Sequence, residues 1–153
     1  MRRLILLALI GGSALAMAAP AGAATPSLKA QFTPLNAQIV KIGSDIATDV
    51  NGADKETDAQ LAKQFAGLAR RTSAASVKVG KLKGATGSTL TAQRQLQLAL
   101  ALGATDLAKI YGAAVEHSAA KAKAATIALF KDSAPIKSTR LAFAKLVGVK
   151  ASG

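Results

Sequence analysis

Leu35, Ile39, Ile42, Ile46 and Val50 return every third or fourth position along one stretch of this chain. A half-buried strand would alternate every second residue, so this spacing fits one face of an amphipathic helix and little else. Aromatic side chains are confined to Phe32, Phe65, Tyr111, Phe130 and Phe143, and the chain has no cysteine and no tryptophan. A core made from such residues consists mainly of aliphatic side chains and alanine. Helices can then approach closely, with little apolar area buried per residue. No disulfide is available to supplement that core.

The helix boundaries follow from caps and breakers. The first helix is expected to start at Thr33-Pro34, with threonine as N-cap and proline in the first turn, and to stop at Asn51-Gly52. Lys41, Asp45 and Asp49 stand four residues apart on its flank and read as a solvated ladder. A second helix is expected to open with Asp54, Glu56 and Asp58, where the helix dipole favours negative charge, and to run to about Lys83. Leu61, Phe65, Leu68, Thr72, Ala75, Ser76 and Val79 share one arc of it, and Lys63, Arg70, Arg71, Lys78 and Lys81 share the opposite arc. Gly84-Ala85-Thr86-Gly87 reads as a turn, followed by Ser88 or Thr89 as the next N-cap.

The third helical stretch is expected to reach about Lys131, roughly 65 Å if unbroken. Gly103 and Gly112 are candidate bends, and Gly103-Ala104-Thr105-Asp106 is a candidate break. Asp132-Ser133-Ala134-Pro135 should end that stretch, leaving Pro135 to Val147 as a short last helix. The fold class expected is all-α: an antiparallel bundle of four helices, three long and one short and C-terminal, forming one domain over residues 24–153.

Residues 1–23 have the pattern of a secretory signal peptide. Met1-Arg2-Arg3 is a positive start, Leu4 to Ala19 is an apolar run shorter than a stable bilayer span, and Ala21-Gly22-Ala23 offers the small-x-small cleavage pattern. Cleavage is expected after Ala23. The mature chain, with no transmembrane helix expected, would then be secreted, periplasmic or associated with the cell envelope.

Few chemistries are open to the remainder. Both methionines lie in the leader, and His117 is the one histidine. Haem bundles usually supply axial His or Met, and di-iron bundles need Glu-x-x-His pairs with further glutamates, so no cofactor or metal is expected. His117 has Glu116 and Lys121 nearby in sequence but no carboxylate and nucleophile at a catalytic spacing. No catalytic site is expected, and the chain reads as a non-enzyme.

Charge supplies the best functional hint. The chain carries a formal +12, and the basic residues are concentrated from Arg70 onward, where fourteen of them face three acids. The arc of Lys63, Arg70, Arg71, Lys78 and Lys81 is therefore the candidate contact surface for an anionic partner: an envelope polymer, a lipid headgroup or an acidic protein. Nucleic acid is disfavoured, because the basic regions lack patterned stacking aromatics and an exported chain rarely meets DNA. The leading expectation is a binding role at the envelope or outside the cell through this basic surface. The alternative is a carrier for a small, lipid-like apolar ligand, held in a cavity between helices near Gly103 and Gly112.

Overall fold

The computed structural model describes residues 25–150. The expected leader and its cleavage site lie outside the described residues. The described residues form four long helices, α1 (Leu28–Gly52), α2 (Asp58–Gly80), α3 (Gly87–Val115) and α4 (Ala119–Val147), with a 3-10 turn at Ala53–Lys55 between the first two. Among the described residues there is no strand.

Cross-helix partners give the topology. Gln31 meets Lys83, Gln38 meets Lys78 and Asp45 meets Arg71, so α2 descends as α1 rises. Ser76 and Val79 meet Gln97 and Gln93, which turns α3 back along α2. Phe32 and Asn36 meet Phe143 and Arg140, setting α4 antiparallel to α1. The result is an antiparallel four-helix bundle joined by short turns.

The packing is uneven. α3 lies closely against both α2 and α4, whereas α1 packs on α2 and only lightly on α4. Burial on two sides explains the character of α3. It is long and apolar enough to cross a membrane by length and composition alone, with a mean hydropathy of 1.4 over 18 residues, but half of that segment is buried inside the bundle. One core cluster gathers Phe32, Leu35, Ile39, Ile42, Val79, Leu96, Leu100 and Phe143. A second gathers Phe65, Leu68, Leu107, Ile110 and Leu129 toward the other end. Buried polar groups are stitched to backbone: Gln93 Nε2 donates to the Val79 and Leu82 carbonyls at the end of α2, and Ser76 Oγ donates to the Gln97 carbonyl. The bonds to Val79 and Leu82 reinforce the α2 C-terminus, where backbone carbonyls run short of intrahelical donors, and the bond to Gln97 ties α2 to the middle of α3.

Several boundaries differ from the sequence expectation. α1 starts six residues before Pro34, with Ser27 as N-cap accepting from the Ala30 amide at 3.2 Å. Pro34 sits inside the helix on an exposed face, and the Ala30 carbonyl that loses its usual donor also belongs to an exposed residue, open to water. The fully buried Phe32 accounts for the earlier start, because its ring joins the core only if the helix already runs through it. α2 begins at a capping box, Thr57 Oγ1 with the Gln60 amide and Gln60 Oε1 with the Thr57 amide. Asp54 and Glu56 consequently fall before the helix, which ends at Gly80 rather than near Lys83. Thr86, not Ser88 or Thr89, occupies the N-cap position of α3, and positive φ values are taken by Gly84 in the connecting turn (91°) and by Gly87 at the first position of α3 (51°).

The larger correction concerns the second half. α3 ends at Val115 and α4 starts at Ala119, so no helix runs on to Lys131. The break is a Schellman turn. Ser118 N–H donates to the Ala113 carbonyl, His117 N–H donates to the Ala114 carbonyl, and His117 holds the left-handed position at φ 52°. Ser118 then caps α4. Asp132 to Pro135 ends nothing: α4 continues for 29 residues through Pro135, on a face where both the proline and Lys131, whose carbonyl it frees, are exposed. The last helix is therefore long, and the bundle has four long members. Gly103 and Gly112 lie within an uninterrupted α3. At Gly103 a Cβ would stand 2.8 Å from Ile136 Cδ1, so this glycine admits a side chain from α4 rather than bending its helix.

Candidate functional site

α1 and α4 frame an apolar cleft of about 470 Å³. Its floor is Ile39, Ile42 and Ile46 from α1, Leu129 and Ile136 from α4, and Leu100 reaching up from α3. This volume lies within the ordinary range of small-ligand pockets. The apolar stripe read from the sequence supplies the α1 side of the floor, because its residues point between the neighbouring helices. What opens the cleft is the flank of that stripe. Gly43, Ser44 and Ala47 face it, and a Cβ built at Gly43 would meet no atom within 4 Å.

The described ties between α1 and α4 lie at one end. The Phe32 and Phe143 rings meet edge to face, with centroids 4.6 Å apart at 74°. One helical turn further along α1, Arg140 Nη1 donates to Asn36 Oδ1 at 3.0 Å. Arg140 is only 5% exposed yet borders the cleft. Burial lowers its pKa from the ordinary arginine value, a shift from so high a starting point that the guanidinium stays cationic at neutral pH. Lys137, one turn before it on α4, is exposed at the rim. Phe130 lies near the opposite end of the α4 wall and is 59% exposed.

The lining offers a surface for an apolar chain with two cations at one end. It includes no carboxylate and no imidazole. Its hydroxyls are engaged with backbone where they have partners: Thr72 Oγ1 donates to the Leu68 carbonyl and Ser133 Oγ to the Phe130 carbonyl.

The basic residues singled out by the sequence all lie exposed on or just beyond α2. They are not equivalent. Arg71 Nη1 stands 2.6 Å from Asp45 Oδ2 and Lys78 Nζ donates to Gln38 Oε1, so these two belong to the seam with α1. The Arg71 guanidinium, with help from Lys41, holds the Asp45 carboxyl below the usual carboxylate range. Partial burial and the adjacent Asp45 charge push Asp49 the other way. Lys63, Arg70 and Lys81 make no side-chain hydrogen bond or ion pair among the described residues. Lys81 lies in the turn beyond α2, so the arc is less continuous than a helical projection implies.

His117 Nδ1 stands 2.6 Å from Asp58 Oδ2, clasping the α3–α4 turn to the start of α2, while Glu116 and Lys121 pair with each other. The sequence places Glu116 and Lys121 beside this histidine correctly but gives no sign of Asp58, 59 residues away. The cavity expected near Gly103 and Gly112 meets a different outcome at each glycine. Gly103 is occupied by Ile136, Gly112 borders a more open depression of about 510 Å³ between α3 and α4, and the apolar cleft between α1 and α4, which Ile136 also lines, is a separate one. Arg140 carried the one available signal for it: a lone cation in register with the apolar positions Ile136 and Phe143. No protein-family model matches the chain, and no curated protein or solved structure shows significant similarity to it.

Proposed function

We propose that this chain is a non-enzymatic binding protein, acting outside the cytoplasm, that holds the apolar part of a small molecule in the cleft between α1 and α4. The single observation carrying this reading is the cleft itself: apolar at its floor, of ligand size, and open because Gly43 has no side chain and Ala47 only a methyl. It was the alternative expectation from sequence, and it now takes precedence because two of the five residues behind the leading one are engaged at the α1–α2 seam. The extracellular setting rests on the leader pattern, and the exported product should begin at Ala24.

The test uses N-phenyl-1-naphthylamine, a neutral dye that brightens in apolar surroundings. Wild type should bind it saturably. Ala47→Phe and Gly43→Leu, which fill the cleft from an exposed helix face, should reduce that binding at least about tenfold while circular dichroism stays unchanged. Equal dye binding by wild type and both folded variants would rule the cleft out.

A second reading is favoured by Lys63, Arg70 and Lys81, whose charges have no partner among the described residues. These three, rather than all five, are the proposed contacts for an anionic surface. Charge reversal at the three should abolish binding to anionic vesicles. Arg71 and Lys78 are poor test positions, since changing them also disturbs α1.

A further inference from the structure

We propose that the outer face of α3 is a contact between two copies of this chain, packed antiparallel about a twofold axis at Thr105. The inference goes beyond the cleft reading and stands without it, because the residues of this face are not those of the cleft.

The side of a bundle helix that faces water is ordinarily polar. On α3 it is not. Leu98 is 62% exposed and Leu102 47%, and from Gln95 to Ala108 no exposed residue of this helix is charged, in a chain with 20 basic and 8 acidic residues. The charge is carried by the neighbouring helices, where Lys63 and Arg70 on α2 and Lys123, Lys131 and Lys145 on α4 are all exposed. Exposed leucines in a zone depleted of charge have the composition of an interface centre.

What fits this face to a second copy is its order along the helix. Arg94, Leu98, Ala101, Thr105, Lys109, Gly112 and Glu116 follow one line down the outside of α3 and its C-cap, at steps of 4, 3, 4, 4, 3 and 4. The steps read the same in both directions, so a twofold rotation at Thr105 lays the line on itself. Arg94 then stands opposite the partner's Glu116, and the reciprocal pair forms at the other end. A parallel pairing sets like charges together instead. Arg94 makes no hydrogen bond or ion pair among the described residues, and Glu116 is held only by the exposed Lys121. Size is matched as well as charge: Leu98 faces the partner's Gly112, and Lys109 faces the partner's Ala101. The two Lys109 stems are held apart by eight residues, roughly 12 Å along the axis. From Arg94 to Glu116 the strip is roughly 33 Å long and one helix wide, which gives about 400 Å² per copy. A stable complex buries about 800 Å² per partner, so the dimer is weak and forms only as concentration rises.

Sedimentation equilibrium tests this on protein purified from cells expressing the full chain, from about 10 μM to about 1 mM. Wild type should pass reversibly from monomer to dimer within that range. Arg94→Glu and Glu116→Arg, both at exposed positions, should each dimerise about tenfold more weakly, because each sets like charges opposite one another twice. Mixed in equal amounts, the two variants should associate within about threefold of wild type, since each supplies the charge that the other lacks. Leu98→Lys should weaken the dimer at least about tenfold and leave naphthylamine dye binding unchanged. A monomer throughout the range overturns the proposal, and so does a mixture that associates no better than either variant alone. If wild type stays monomeric but floats with neutral phosphatidylcholine vesicles, and Leu98→Lys does not, the face meets a membrane and the second copy is refuted.

Discussion

Phe32 and Phe143 are both fully buried, and their edge-to-face contact fastens the first turns of α1 to the last turns of α4. Replacing each by leucine keeps most of the apolar volume and removes the ring contact, so a double-mutant cycle isolates the pair. Each single change should cost about 1–1.5 kcal/mol, the usual range for a volume-conserving core swap. The coupling between them should be about 0.5–1.5 kcal/mol, the contribution of an aromatic pair beyond its buried area. Phe143→Ala, which leaves a cavity, should cost about 3–5 kcal/mol. That is a large share of the roughly 5–15 kcal/mol expected for a domain of this size.

Urea denaturation followed by circular dichroism measures all four variants, provided the slope is unchanged. A coupling within about 0.3 kcal/mol of zero would refute the idea that the rings act on each other rather than each on the general core. Hydrogen exchange supplies an independent reading. Because α1 packs only lightly on α4, Phe143→Ala should accelerate exchange in the middle of α1 more than in α3. Equal acceleration in both helices would mean that α1 opens only when the whole bundle unfolds.

Three further outcomes follow from local geometry. The depressed Asp45 pKa means that its pairing with Arg71 stabilises the fold fully above the ordinary aspartate value near 4 and loses that effect as pH falls toward the lower folded value. Asp49, raised by burial, acts with the opposite sign. Asp45→Asn made in an Asp49→Asn background should therefore cost about 0.2–1 kcal/mol at pH 6, with the gap closing below pH 4 in urea titrations, and a gap independent of pH would count against the pairing. His117 adopts φ 52°. His117→Gly and His117→Ala both remove the contact with Asp58, but thermal unfolding should find the glycine variant more stable by about 1 kcal/mol, and equal stabilities would contradict the left-handed turn. Gly103→Ala would place a methyl 2.8 Å from Ile136 Cδ1. The flexible end of Ile136 should yield into the cleft, so stability should change by less than about 1 kcal/mol while the naphthylamine dye binds more weakly; undiminished dye binding would separate Ile136 from the site.

The parts of this fold that were legible in the sequence are those written as a period. The α1 stripe and the inward arc of α2 both occupy the core as read, Phe32 included once the helix starts early enough. The breaks were harder, and for identifiable reasons. Proline at positions 34 and 135 was read as a boundary, yet both sit on exposed helix faces where the carbonyl each one frees can bind water. The true boundary near residue 117 was hidden because histidine takes the left-handed position that glycine usually signals. Gly148 takes the same position at the end of α4, with φ 72° and the same pair of carbonyl bonds. The two turns share a geometry and differ in the residue that announces it.

Apart from the cation Arg140 in register with apolar positions, the cleft left no mark in the sequence, because what makes it is the size of the side chains that flank a stripe. Along α1 the bulky residues Ile39, Ile42 and Ile46 point inward, while Gln38 and Asp45 meet α2. The side left for α4 carries Val40, Gly43, Ser44 and Ala47. In a sequence rich in alanine, small residues beside an apolar stripe read as an ordinary solvated face. Elsewhere in this bundle small residues do the opposite. Ala92, Ala99, Ala104 and Ala113 are buried on α3, where close approach of neighbouring helices consumes the space they leave. The same side-chain economy that packs α3 tightly from two sides therefore opens a groove beside α1. The difference is whether the neighbouring helix closes in, and α4, tied to α1 by Phe143 and Arg140 at one end, lies only lightly against the rest of it.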